Sequence, residues 1–129
     1  MDTCFNALFL DEKHGLRATA RGAEIDVRLP WYRSLPVSVI EVASLALDGS
    51  QVPANDIRFE INGKSFALDE LAAQTSEFWF VLDSAVLRLP QVRLQPGSDH
   101  EVELQLNVRP PYVPHLNWIT RMRKTIRAQ

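Results

Sequence analysis

Glu101-Val102-Glu103-Leu104-Gln105-Leu106-Asn107-Val108 alternates polar and apolar residues at every step. A period of two puts the four apolar side chains on one face of a β-strand and the four polar ones on the other. The stretch therefore predicts a strand with one buried and one wet face, the pattern of an antiparallel sheet. The same alternation recurs upstream, where Ala23, Ile25, Val27 and Leu29 alternate with Glu24, Asp26 and Arg28. Between these two long strands, residues 39–47, 57–61, 65–68, 77–82 and 85–89 are shorter strand candidates. Asp48-Gly49 and Asn62-Gly63 fall between such candidates and accept the positive φ angles of tight hairpin turns. Pro96-Gly97 precedes the last long strand, and Pro30, Pro36, Pro53 and Pro90 also fall between strands or at their ends, where no ladder donor is lost. Only residues 68–74 look helical, with Asp69 placed to cap about two turns. Short strands at regular spacing with turn signals predict an all-β chain, a single antiparallel β-sandwich domain over residues 1–129.

Composition agrees. At 129 residues, 46% hydrophobic and 23% charged, the chain is one ordinary globular domain, which excludes disorder, collagen and coiled coil. No apolar run reaches the roughly 18 residues of a membrane span. The start, Met1-Asp2-Thr3-Cys4-Phe5, has no basic stretch before its apolar run and so does not read as a secretory signal. One cysteine, Cys4, forms no internal disulfide, which fits a cytoplasmic location.

Charge is uneven along the chain. The last 26 residues carry Arg109, Arg121, Arg123, Lys124 and Arg127 and no carboxylate, whereas all sixteen acidic residues lie at or before Glu103. Such a tail either lies on the acidic body of its own chain or docks on an acidic partner. Within it, Arg109-Pro110-Pro111-Tyr112-Val113-Pro114-His115-Leu116-Asn117-Trp118 holds three prolines in five residues and excludes a helix interior or a central strand. We expect an extended, Pro-rich C-terminal tail over residues 109–129 that contacts a partner. Aromatic side chains gather there and in the loop Pro30-Trp31-Tyr32-Arg33-Ser34-Leu35-Pro36. Aromatics and Arg on loops suit an interface or a sugar-stacking surface; the other reading is that they cap the sandwich core.

No constellation for chemistry is visible. His14, His100 and His115 are not spaced with other ligand types as metal sites require. There is no Gly-x-Ser-x-Gly, no phosphate-cradling glycine loop and no paired nucleophile and base. Cys4 sits among apolar neighbours and reads as a packed small hydrophobe. An acidic body argues against nucleic acid.

Arg28 to Pro36 followed by Val39-Ile40-Glu41 resembles the small (β) subunit of bacterial C-glycoside deglycosidases. So do Leu47-Asp48-Gly49 with Val52-Pro53, and Asp56-Ile57-Arg58-Phe59 with Asn62-Gly63-Lys64 and Leu68-Asp69-Glu70-Leu71. Pro96-Gly97 through His100-Glu101-Val102-Glu103-Leu104 is similar too, so the resemblance runs from about Glu24 onward. Trp31 and Ser34 stand where the family tends to have Tyr and Gly. The resemblance implies a hetero-oligomeric carbon–carbon lyase acting on 3-oxo-C-glucosides. A TIM-barrel α subunit would carry a divalent metal, Mn or Mg, and a histidine base, with no cofactor in this chain. A ketone at C3 acidifies the C2 proton, so that the aglycone carbon at C1 can leave. In that complex this chain has no activity alone; it completes the partner and walls part of the pocket for a sugar with an aromatic aglycone. Tyr112, Pro114, His115 and Trp118 are the expected pocket residues, and Trp31, Tyr32 and Arg33 the expected interface. From a different class, a stand-alone carbohydrate-binding or adaptor β-sandwich is the rival expectation.

Overall fold

The computed structural model describes residues 2–4 and 15–129; the expectations for the side chain of Cys4 and for His14 fall outside them. In chain order the strands are β1 (Asp2–Cys4), β2 (Leu16–Thr19), β3 (Gly22–Arg28), β4 (Leu35–Pro36), β5 (Ile40–Leu47), β6 (Ser50–Gln51), β7 (Arg58–Ile61), β8 (Lys64–Ala67), β9 (Phe78–Trp79), β10 (Ser84–Leu89), β11 (Asp99–Val108) and β12 (Trp118–Arg127). They form two five-stranded sheets, β1-β12-β11-β5-β6 and β2-β3-β10-β7-β8, with β4 and β9 as a separate ribbon. Pairing is antiparallel except for β1 on β12, which is parallel. The all-β sandwich read from the alternation is what the chain adopts.

The core follows from that alternation. Val102, Leu104, Leu106 and Val108 of β11 are buried, and so are Ala23, Ile25 and Val27 of β3 across the sandwich. Strand β5 shows why its pattern is less regular. Gln105 pairs with Ser44 but Leu106 pairs with Val42, so Ala43 is the extra residue of a β-bulge. The bulge moves the inward phase from Ile40 to Leu45 and Leu47. Asp48 and Gly49 (φ 53° and 83°) close the β5–β6 hairpin, and Asn62 and Gly63 (φ 54° and 75°) close β7–β8. Two consecutive left-handed residues give the turn whose twist matches the strands.

Three local expectations change. The helical turn is a 3-10 segment over Leu68–Ala73, and its cap is Ala67, whose N–H is accepted by the Glu70 carboxylate at 2.6 Å. The chain leaves β8 one residue early, so Asp69 falls inside the first turn instead of capping it. Strand 77–82 shrinks to Phe78–Trp79, because Val81 N–H bonds Ser34 Oγ and Asp83 N–H bonds the Phe80 carbonyl, which turns the chain. The third concerns the tail. Residues 118–127 are extended, as the central strand β12 between β1 and β11. Residues 110–116 are not extended: Val113 N–H returns to Pro110 and Leu116 N–H to Val113, two successive tight turns. Proline supplies position two of each turn, which is where it fits best.

β12 also decides where the basic charge goes. Arg121, Arg123 and Arg127 point outward in register with Gln105, Glu103 and Asp99 of β11. Arg127 Nε reaches Asp99 at 3.1 Å, Arg121 Nε reaches Gln105 at 3.1 Å, and Arg123 lies 3.9 Å from Glu103. This stretch of the tail thus lies on the acidic body of its own chain.

Candidate functional site

The two aromatic loops meet. Trp31 follows β3 and Tyr112 precedes β12, yet Trp31 Nε1 donates to the Tyr112 hydroxyl at 2.6 Å. The Tyr112 and Tyr32 hydroxyls are 3.3 Å apart. Trp31 packs edge-on to Trp118 at 5.7 Å and tilted against Tyr32 at 5.2 Å. The Arg33 guanidinium sits 5.2 Å from the Tyr112 ring and 6.0 Å from the Tyr32 ring, within cation–π range. Trp31 and Trp118 are half-buried and pack on the core, whereas Tyr32, Arg33 and Tyr112 are exposed. The two sequence readings of this loop therefore divide by residue: the indoles cap the sandwich, and the phenols and the guanidinium face outward.

Contact between the phenols splits them. Burial pushes the Tyr112 hydroxyl up, but its hydrogen bonds with Tyr32 and Trp31 and the Arg33 charge outweigh it and hold it below the ordinary value. Tyr32 is raised, chiefly through its bond to Tyr112. A shallow concavity of about 510 Å³ opens between Pro30, Trp31, Tyr32 and Trp118. A second of about 410 Å³ is lined by Arg33, Ser34, Leu35, Pro36, Phe78, Pro111 and Tyr112. Both have the flat aromatic walls that sugars and aryl groups use.

Pro114 and His115 are exposed in the second tight turn rather than in the aromatic cluster. His115 has φ 64°, at the turn position that ordinarily wants glycine or asparagine. A bulky residue held there is strained, and such strain gathers at functional sites. Of the expected pocket residues, Tyr112 and Trp118 each contact Trp31 but line different concavities, and Pro114 and His115 lie in the exposed turn between them in sequence.

Sequence reading missed two features. Phe78 and Phe80 stack at 6.4 Å and are exposed, and Leu82 beside them is 79% exposed. The signal was the run Phe78-Trp79-Phe80-Val81-Leu82. Strand alternation buries only one face of such a run, and here Trp79 goes in against Phe59. The second feature is a serine–histidine–aspartate arrangement. His100 Nε2 lies 2.6 Å from Ser98 Oγ, and Nδ1 lies 2.7 Å from Asp48 Oδ2. It lacks the parts of a hydrolytic centre. The Ser98 hydroxyl is donated to the Gln95 carbonyl at 2.6 Å. The Gly97, Ser98 and Glu101 N–H groups that could cradle an oxyanion are bonded to Ala128, Gln95 and Asp48. The arrangement clasps the β5–β6 turn to the start of β11.

Among the described residues, no three His, Cys, Asp or Glu side chains gather as a metal site, and no helix is long and apolar enough to cross a membrane. Residues 12–112 match the family described as C-glycoside deglycosidase beta subunit. A protein of that name from Microbacterium trichothecenolyticum is 42% identical over 102 residues, 79% of this chain and 77% of its own length. The 3'-dehydrocarminate deglycosidase beta subunit of a Microbacterium species is 42% identical over 99 residues, 77% of this chain and 74% of its own. A C-glycoside deglycosidase beta subunit of Arthrobacter globiformis is 40% identical over 102 residues, 78% of each chain. The family match ends at Tyr112, so Pro114, His115 and Trp118 lie beyond it.

Proposed function

The chain belongs to the C-glycoside deglycosidase beta-subunit family, and on that premise we propose that it is the accessory subunit of a carbon–carbon lyase acting on 3-oxo-C-glucosides. The observation that carries the reading is the joining of two distant aromatic loops into one outward wall on a chain of this family. A 3'-dehydro compound in the name of one relative supports an oxidised, keto-sugar substrate. We assign the divalent metal and the base to a TIM-barrel partner in the cytoplasm. This chain's residues bind and orient. Trp31 and Trp118 would offer ring faces to a flat aglycone, the Tyr112 hydroxyl would accept a hydrogen bond with its remaining lone pair, and His115 would present its imidazole from the exposed turn.

Purifying the chain with a co-expressed α subunit and assaying turnover of 3-oxo-C-glucosides tests this. We expect activity from the complex and none from this chain alone. Tyr112→Phe removes the hydroxyl and keeps the ring, His115→Asn removes the imidazole and keeps the turn, and each should change kcat/KM differently on two dissimilar aglycones. Failure to bind any α subunit, with glycan binding by the isolated chain, would instead make it a carbohydrate-binding sandwich.

A further inference from the structure

Among the described residues, the large hydrophobic side chains left exposed are Tyr32, Phe78, Phe80, Leu82 and Tyr112. They are not scattered, as isolated surface hydrophobes ordinarily are. Tyr32 and Tyr112 touch, Tyr112 and Phe78 line one concavity, and Phe78 stacks on Phe80. The loop that carries Leu82 is tied to the same region, through Val81 N–H to Ser34 Oγ at 2.9 Å and Arg28 to the Leu82 carbonyl at 3.4 Å. The β4–β9 ribbon holds the two loops side by side, pairing Leu35 with Trp79 and Pro36 with Phe78. Trp79, buried beneath, bonds the Asp83 carbonyl through its indole N–H at 2.9 Å and stiffens the loop from below.

We infer that Tyr32, Arg33, Phe78, Phe80, Leu82 and Tyr112 form one docking face, and that its occupant is the catalytic subunit of the deglycosidase, presenting an apolar surface with a carboxylate opposite Arg33. The inference rests on the subunit reading above. Charge carries the choice of occupant. Arg33 is exposed, lies over the Tyr32 and Tyr112 rings and lines one concavity with Phe78, and no carboxylate pairs with it among the described residues. Tyrosine, phenylalanine and arginine around a rigid support are what interface centres are enriched in, and a central arginine is satisfied by a carboxylate that the partner brings. A second copy seated on the same face would bring another Arg33 and no carboxylate, since none of the six residues is acidic, and is disfavoured. The face also adjoins both concavities, so a subunit seated there closes the aromatic wall against its own active site.

The test uses the full complex. Leu82→Asp and Phe80→Asp alter exposed side chains, and thermal melting of each isolated variant checks that the fold is kept. Thr125→Asp, exposed on β12, is the control. In a pull-down titration against the catalytic subunit, Leu82→Asp and Phe80→Asp should weaken binding by about tenfold or more, and Thr125→Asp should not. Arg33→Glu should weaken it more than Arg33→Met, with the difference shrinking at high salt. If the unsubstituted chain binds and the face variants bind equally well, this inference falls and the subunit reading stands. If the unsubstituted chain does not bind, both fall. An isolated chain that is a stable dimer, dissociated by Leu82→Asp, would give the face to a second copy and overturn the inference.

Discussion

Tyr32 and Tyr112 are the only tyrosines in the chain, and their hydroxyls are 3.3 Å apart. Two phenols in contact cannot ionise independently, since the first phenolate repels the second and accepts a hydrogen bond from it. A spectrophotometric titration should therefore show two separated steps, the first below the ordinary tyrosine value and the second above it. Trp31→Phe removes a donor to Tyr112 and should narrow the gap. His115 is the other residue whose environment differs from its sequence context. At φ 64° a β-branched side chain clashes with its own backbone, so His115→Val should lower stability by about 1–2 kcal/mol, read as a urea midpoint, while His115→Asn and His115→Gly should not. The aromatic residues themselves were legible in the sequence as a group without a core role. That Trp31 would bond Tyr112 was not, because 81 residues separate them and no local pattern encodes the meeting.

At the scale of elements, alternation named β3 and β11 almost to the residue, because each buries one face along an uninterrupted register. β12 carries the same code from Thr120, where Thr120, Met122 and Ile126 point inward and Arg121, Arg123 and Arg127 outward. Lys124 breaks the inward series and the prolines before it dominate the composition, so the segment read as a tail. The consequence for experiment is direct. Deleting residues 111–129 would remove a central strand, so only point substitutions can separate its role in assembly from its role in the fold. Gly22 gives an element-scale prediction. It has φ 113° at the start of β3, and an added Cβ would run into the Leu89 carbonyl oxygen and the Pro90 Cα. Backbone cannot yield as a side-chain tip can, so Gly22→Ala should cost about 2–4 kcal/mol in chemical denaturation, where a strand glycine in open space would cost nothing.

For the whole molecule, the two sheets and the charges on their outer faces set the response to acid. Asp48 is held below its ordinary value by His100 and by the Glu101 N–H, and Glu41 by Asn107 and Arg109. A carboxyl that is more acidic folded than unfolded stabilises the fold above its unfolded value, and that contribution is lost as pH falls through the folded value. The urea midpoint should thus be flat above the carboxylate range of about 4 and decline below it. Asp48→Asn and Glu41→Gln should each flatten the decline, and Asn suits the left-handed turn position of Asp48. A further consequence hangs on the Asn62-Gly63 turn. Asparagine before glycine is the pair most prone to slow deamidation, in which the glycine nitrogen attacks the side-chain amide. Here that amide is held by Glu77 at 2.9 Å and by the Phe78 carbonyl at 2.8 Å, away from the attack. The same two bonds tie the β7–β8 turn to the strand bearing Phe78. Loss of those bonds would free the amide for that attack and leave a carboxylate against Glu77, so the same pair of bonds sets how long the neighbouring aromatic surface keeps its shape.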